Sequence, residues 1–164
     1  MREFVPARCD ATGMGIRYYA YPVASGDIDD AKRDPDLYLG TDPLMDAWGA
    51  SERRPRMLYL DKCWGCLQGE FGVDSPLERP AAELVRGEVT FVDLGWIGFR
   101  RVLDPDQVAE IAADLDAVLA DAEWTSIDCR FDGATDYVRS YMADARDFTR
   151  SLAERGEGLV YLIG

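Results

Sequence analysis

The run Leu159-Val160-Tyr161-Leu162-Ile163 near the end of the chain is apolar at every position. A strand with one wet face alternates apolar and polar side chains, so a run without alternation needs cover on both faces. It is therefore expected as an interior strand, in a sheet with a layer on each side. A chain of 164 residues has material for such a core without disulfide or metal staples.

Other segments predict what surrounds that strand. Gly15 to Pro22 reads as a first strand, with Ile16, Tyr18 and Ala20 facing one way and Arg17, Tyr19 and Tyr21 the other. Pro22 cannot donate to a ladder and should end it. Residues 25–49 carry Asp34-Pro35 and Asp42-Pro43, two short helical starts with Asp caps, and read as a surface layer. Ser51 to Arg56 reads as a charged loop. Asp61 stands where an N-cap would open a helix to about Phe71, with Leu60, Trp64, Leu67 and Phe71 on one buried face.

Two extended segments, Gly87–Val92 and Phe99–Leu103, flank a glycine-spaced turn at Gly95-Trp96-Ile97-Gly98. Asp104-Pro105-Asp106-Gln107 then combines an Asp cap, Pro at the first position and Gln at the third, the pattern of a capping box. The helix it opens runs to about Ala120 and buries Val108, Ile111, Ala112, Leu115, Val118 and Leu119. A last helix, from about Thr135 to Arg155, is expected to bury Tyr137, Tyr141, Phe148 and Leu152 and to end at Gly156.

Charge excludes some functions. With 31 acids against 18 bases and a formal charge of -13, the chain lacks the cationic surface that nucleic-acid binding requires. A basic protein partner fits better, although acidity also serves solubility alone. Only Lys32 and Lys62 are lysines, an Arg bias that points to a bacterial source. No stretch has the roughly 20 apolar residues of a membrane span, and the N-terminus lacks the apolar run of a signal peptide. The expected location is the cytoplasm. Cys9, Cys63, Cys66 and Cys129 are then expected as thiols, without disulfides.

Met14-Gly15 before an aromatic strand, Leu60-Asp61-Lys62-Cys63-Trp64, the segment from Leu94 to Val108 and the terminal Leu159-Val160-Tyr161-Leu162 together resemble the YfbM-like family of uncharacterised bacterial proteins. The resemblance covers nearly everything after Gly13. It implies one α+β domain over residues 14–164, a small mixed β-sheet packed with several helices and an interior C-terminal strand. It implies no activity. Residues 1–13 look like an irregular extension, with Met14 as the ancestral start, and the stretch between Ala120 and Thr135 is short against the family pattern.

Each candidate for chemistry has a plainer alternative. Cys63-Trp64-Gly65-Cys66 has CxxC spacing, suited to a dithiol switch or half a zinc site. Its place on an apolar stripe and the absence of any His favour core packing. Without His there is no Ser-His or Cys-His pair, and no catalytic residue, metal or cofactor is expected. Asp61, Lys62, Trp64, Trp96 and Arg100 are candidates for a small-ligand pocket that joins a helix N-terminus to an aromatic platform and guanidinium charge. Their alternative is a cap, a core face and a simple turn. Asp106, Glu110, Asp114 and Asp121 form an acidic helical face suited to a basic partner, in the manner of immunity proteins. Its alternative is a solvated face. The favoured function is a non-catalytic protein-binding or regulatory module. The rival is an enzyme or ligand binder built on the pocket.

Overall fold

The computed structural model describes residues 15–127, 129 and 132–164. In chain order its elements are β1 (Tyr18–Val23), α1 (Ile28–Arg33), α2 (Pro43–Trp48), β2 (Leu58–Asp61), α3 (Cys63–Glu70), β3 (Thr90–Val92), β4 (Gly95–Ile97), β5 (Phe99–Leu103), α4 (Pro105–Ala120), α5 (Ala134–Arg155) and β6 (Gly158–Ile163). Single turns of tighter helix lie at Pro35–Tyr38, Ser51–Arg53 and Pro80–Leu84, among others. The proposed extension, residues 1–13, falls outside the described residues.

Four strands form one sheet in the order β2-β1-β6-β5. Every neighbouring pair is antiparallel, where a sheet of mixed direction was expected. The last strand is interior, as its two-sided apolarity requires. Leu159, Tyr161 and Ile163 pack with Tyr18, Ala20, Leu58 and Leu60 against α3, α4, α5 and the turn at Pro80–Leu84. On the other face Val160 packs with Tyr19, Tyr21 and Val23 against Ile28 and Ala31 of α1 and Ala47 of α2. The surface layer read from residues 25–49 is thus the second cover of the sheet. It includes α1, which neither Asp-Pro signal announces.

Tyrosines fasten the larger core. Tyr18 and Tyr161 stack with ring centroids 5.2 Å apart. The Tyr18 hydroxyl donates to Leu84 O at 2.8 Å and the Tyr161 hydroxyl to Arg86 O at 2.6 Å. Both phenols are buried, and these bonds hold residues 84–86 to the sheet while satisfying polar atoms that burial would otherwise penalise.

The helix boundaries follow local chemistry. Asp104 N donates to Gln107 Oε1 at 2.9 Å, and Pro105 opens α4. Gly156, at φ 65°, closes α5, and Glu157 N reaches back to Leu152 O at 3.0 Å. The buried stripe of α5 is Ala134, Val138, Met142, Ala145, Thr149 and Leu152. Of the four side chains expected there only Leu152 is fully buried. Tyr137, Tyr141 and Phe148 flank the stripe half-buried, which places them beside β2.

Two segments depart from expectation. Gly95–Ile97 is a strand, β4, and the turn of its hairpin with β3 falls at Asp93 and Leu94. The cysteines are not all thiols: Cys66 of α3 is disulfide-bonded to Cys129 in the connector between α4 and α5. Both residues are buried. Core packing brings the two sulfurs together across a sequence separation of 63, which no local spacing reveals.

Candidate functional site

Strand β2 is an edge of the sheet, and no strand pairs with its outer side among the described residues. Its pairing with β1 shifts register between Tyr18 and Tyr19, which face Asp61 and Tyr59, so Leu60 is the extra residue of a bulge. Asp61 follows at φ 47°, a backbone state that costs a non-glycine residue on the order of 1 kcal/mol or more. The bulge and this conformation turn the Asp61 carboxylate onto Arg17 and Tyr59. Arg17 Nε donates to Asp61 Oδ1 at 3.1 Å, and the Tyr59 hydroxyl donates to the same oxygen at 3.0 Å. Trp48 of α2 donates from Nε1 to the Tyr59 hydroxyl at 3.2 Å, and the Arg17 guanidinium lies 5.4 Å from the Trp48 ring centroid.

Asp61 was expected to cap α3. Instead it ends β2, and Lys62 occupies the cap position without a side-chain capping bond. The bonds to Arg17 and Tyr59 are worth more to a carboxylate than solvent-exposed capping.

A groove opens beside this network, between the outer side of β2 and α5. Its volume is about 270 Å³, and Met57, Tyr59, Phe148, Arg54, Asp144 and Asp147 are among its walls. Burial beside the packed wall pushes the Asp144 carboxyl above its ordinary range, and the charge of Asp147 adds to this while Arg54 opposes it. Asp147 is paired with Arg146 at 2.9 Å. Asp144 has no ion pair among the described residues. Outside the groove lining, on the side of the larger core, burial pushes the Tyr141 hydroxyl up to about 12, aided by Asp61 and Tyr59. Burial likewise raises the Cys63 thiol to about 12, with Asp61 and Glu70 adding to it. Both stay protonated near neutral pH, so neither supplies a base or a nucleophile there.

The sequence candidates fall apart in space. Asp61 and Lys62 lie at the β2 edge and Arg100 on β5, the opposite edge. Three strand spacings, roughly 14 Å, separate them. Arg100 is bound to Asp36 and to Gly98 O. Trp64 and Trp96 both pack against the larger core, and none of the five lines the groove.

The acidic face of α4 is divided as well. Asp106, Glu110 and Asp121 are exposed, but Asp114 accepts two bonds from Arg79, at 2.7 and 2.9 Å, and one from Ala81 N at 2.9 Å. Asp104 is paired with Lys32 at 2.7 Å, and Asp116 with Arg150. Much of the apparent acidity is used internally.

The groove acids Asp144 and Asp147 escaped the sequence reading because Arg146 sits between them and the helix around them reads as mixed charge. Their spacing of three, next to the aromatic flank Tyr137, Tyr141 and Phe148, was the available signal.

A sheet of four antiparallel strands, with three helices on one face and two short ones on the other, defines an α+β protein. This fold is shared with the crystal structure of YfbM from Escherichia coli, a protein of unknown function. The identity is 18%, the match covers 91% of this chain and 99% of that one, and the TM-score is 0.51. No family profile and no curated protein matches the chain. No helix among the described residues is long and apolar enough to cross a membrane.

Proposed function

We propose that this protein is a non-catalytic binding module that takes an extended basic segment of a protein partner along the outer side of β2. One observation carries the reading. Asp144 stands in the groove without an ion pair among the described residues, and a cation placed there gains a carboxylate whose charged form its setting disfavours. Tyr59 and Phe148 offer faces for the stem and charge of a Lys or Arg. The side of β2 that pairs with no strand among the described residues offers backbone groups to an added strand. The volume, about 270 Å³, suits single side chains and lies below the roughly 300–1,000 Å³ of small-molecule sites. The charge of -13 favours rapid encounter with a basic partner.

The Arg-rich, Lys-poor composition supports a bacterial source. The cytoplasm is the setting we propose, with the Cys66–Cys129 bond shielded by burial from the reductants that act there.

Calorimetric titration with a capped Val-Lys-Val-Lys-Val peptide tests the reading. Binding is expected, weakening with salt and lost when Glu replaces Lys in the peptide. Asp144→Asn with Asp147→Asn should weaken it about tenfold or more. Equal affinity for the Lys and Glu peptides would contradict the reading.

A further inference from the structure

The β3–β4 hairpin lies outside the main sheet. All three residues of β3 are exposed, so the strand is covered on neither face. Phe91, Val92 and Ile97 are more than half exposed, and Leu94 at the tip is fully exposed. Phe91 is paired with Trp96, which packs on the larger core, while Thr90 faces Ile97 and Val92 faces Gly95. Trp96 therefore ties the hairpin to the body of the protein, and β3 projects beyond it with its outer side unpaired among the described residues. An isolated two-stranded hairpin is marginal in water, and an exposed apolar strand edge is a template for another strand.

We propose that this hairpin is a self-association surface whose partner is a second copy of the chain, joined by antiparallel pairing of β3 with its symmetry mate. Pairing centred on Phe91 sets Phe91 against its own copy and Thr90 against Val92 of the other, giving one sheet in the order β4-β3-β3-β4. That contact is isologous and closes after two copies. The four exposed apolar side chains present on the order of 400 Å², within the range of a monomer's largest patch, which is often functional. Two such patches, with the newly paired backbone and flanking residues, approach the roughly 1,200 Å² at which specific interfaces begin. Charge selects the location. Two copies each carrying -13 repel, and from Val89 to Ile97 the only charged residue is Asp93, so this is a segment where like copies can meet.

Sedimentation velocity on the full chain over a wide concentration range tests the proposal. The expected species is a dimer of twice 18.3 kDa that tightens as salt rises, because screening relieves the repulsion between copies. Phe91→Glu and Leu94→Asp are each expected to raise the dissociation constant about tenfold or more while leaving the circular dichroism spectrum unchanged. Leu77→Asp, exposed elsewhere, should leave it as it is. Backbone amide exchange at Thr90–Val92 should slow as concentration rises. A monomer at every concentration and salt overturns the proposal, as does a dimer that Phe91→Glu leaves intact. A hairpin that captures a different protein while the chain stays monomeric also overturns it. Salt tightens this contact and weakens the basic-peptide contact proposed for the groove, so the two readings fail separately.

Discussion

Arg79 grips Asp114 with two nitrogens, at 2.7 and 2.9 Å, and thereby removes the middle of the α4 acid row from the outer surface. The same carboxylate accepts Ala81 N at 2.9 Å, so Asp114 pins the start of the turn at Pro80–Leu84 to α4. A residue that looked like a docking charge is a structural tie, with its side chain only 12% exposed.

Asp114→Ala should therefore lower stability by about 1–3 kcal/mol, since it strands a partly buried guanidinium and an amide. Urea denaturation at neutral pH measures this. Asp106→Asn and Glu110→Asn, on exposed positions, should change stability by less than about 0.5 kcal/mol.

The Asp114 tie also sets a pH dependence. Burial alone would raise its carboxyl, but the bonds from Arg79 and Ala81 hold it below its usual value. A depressed folded value means the contribution is complete above the unfolded value of about 3.9 and disappears as pH falls through the folded one. The wild-type advantage over Asp114→Asn should shrink along that acid limb, as parallel denaturation series will record.

The Cys66–Cys129 bond closes a long loop onto α3, alongside the Ser126 Oγ and Ile127 N bonds to Glu70. Cys129→Ser should cost about 2–4 kcal/mol under non-reducing conditions. Native Cys63, buried with its thiol raised to about 12, should resist alkylation until the protein unfolds. Mass spectrometry after pulse alkylation reads both states.

β6 is covered on both faces and paired on both sides. Val160→Asp would place a charge in the smaller core without a partner and should abolish cooperative unfolding. Tyr161→Phe removes only the hydroxyl that bonds Arg86 O and Glu83 O, and about 1 kcal/mol is the expected loss. Thermal denaturation separates the two outcomes.

Much of the fold was legible because its signals are local. The two-sided apolarity of Leu159 to Ile163, the box at Asp104-Pro105-Asp106-Gln107 and the stop at Gly156 need no distant partner to be read. The Cys66–Cys129 bond, the Arg79–Asp114 tie and the groove between β2 and α5 join residues far apart in sequence, and no periodicity encodes them. Asp61 shows the intermediate case. Its type suited a helix cap, but the bulge at Leu60 brought it within reach of Arg17 and Tyr59, and a charge-assisted contact prevailed over a local rule. The α5 stripe was read one position off for a similar reason, since bulky aromatics outrank Val138 and Ala145 in a pattern but fit only at the helix flank.

The groove is the centre of the functional reading, and nuclear magnetic resonance mapping with the Val-Lys-Val-Lys-Val peptide tests it most directly. The expected result is shifts at Leu58, Tyr59, Asp144 and Phe148 that fade as pH falls through the raised Asp144 value, with Asp106, Glu110 and Asp121 of the α4 region unmoved. Shifts confined to that acidic α4 region, or none at β2 and α5, would contradict it.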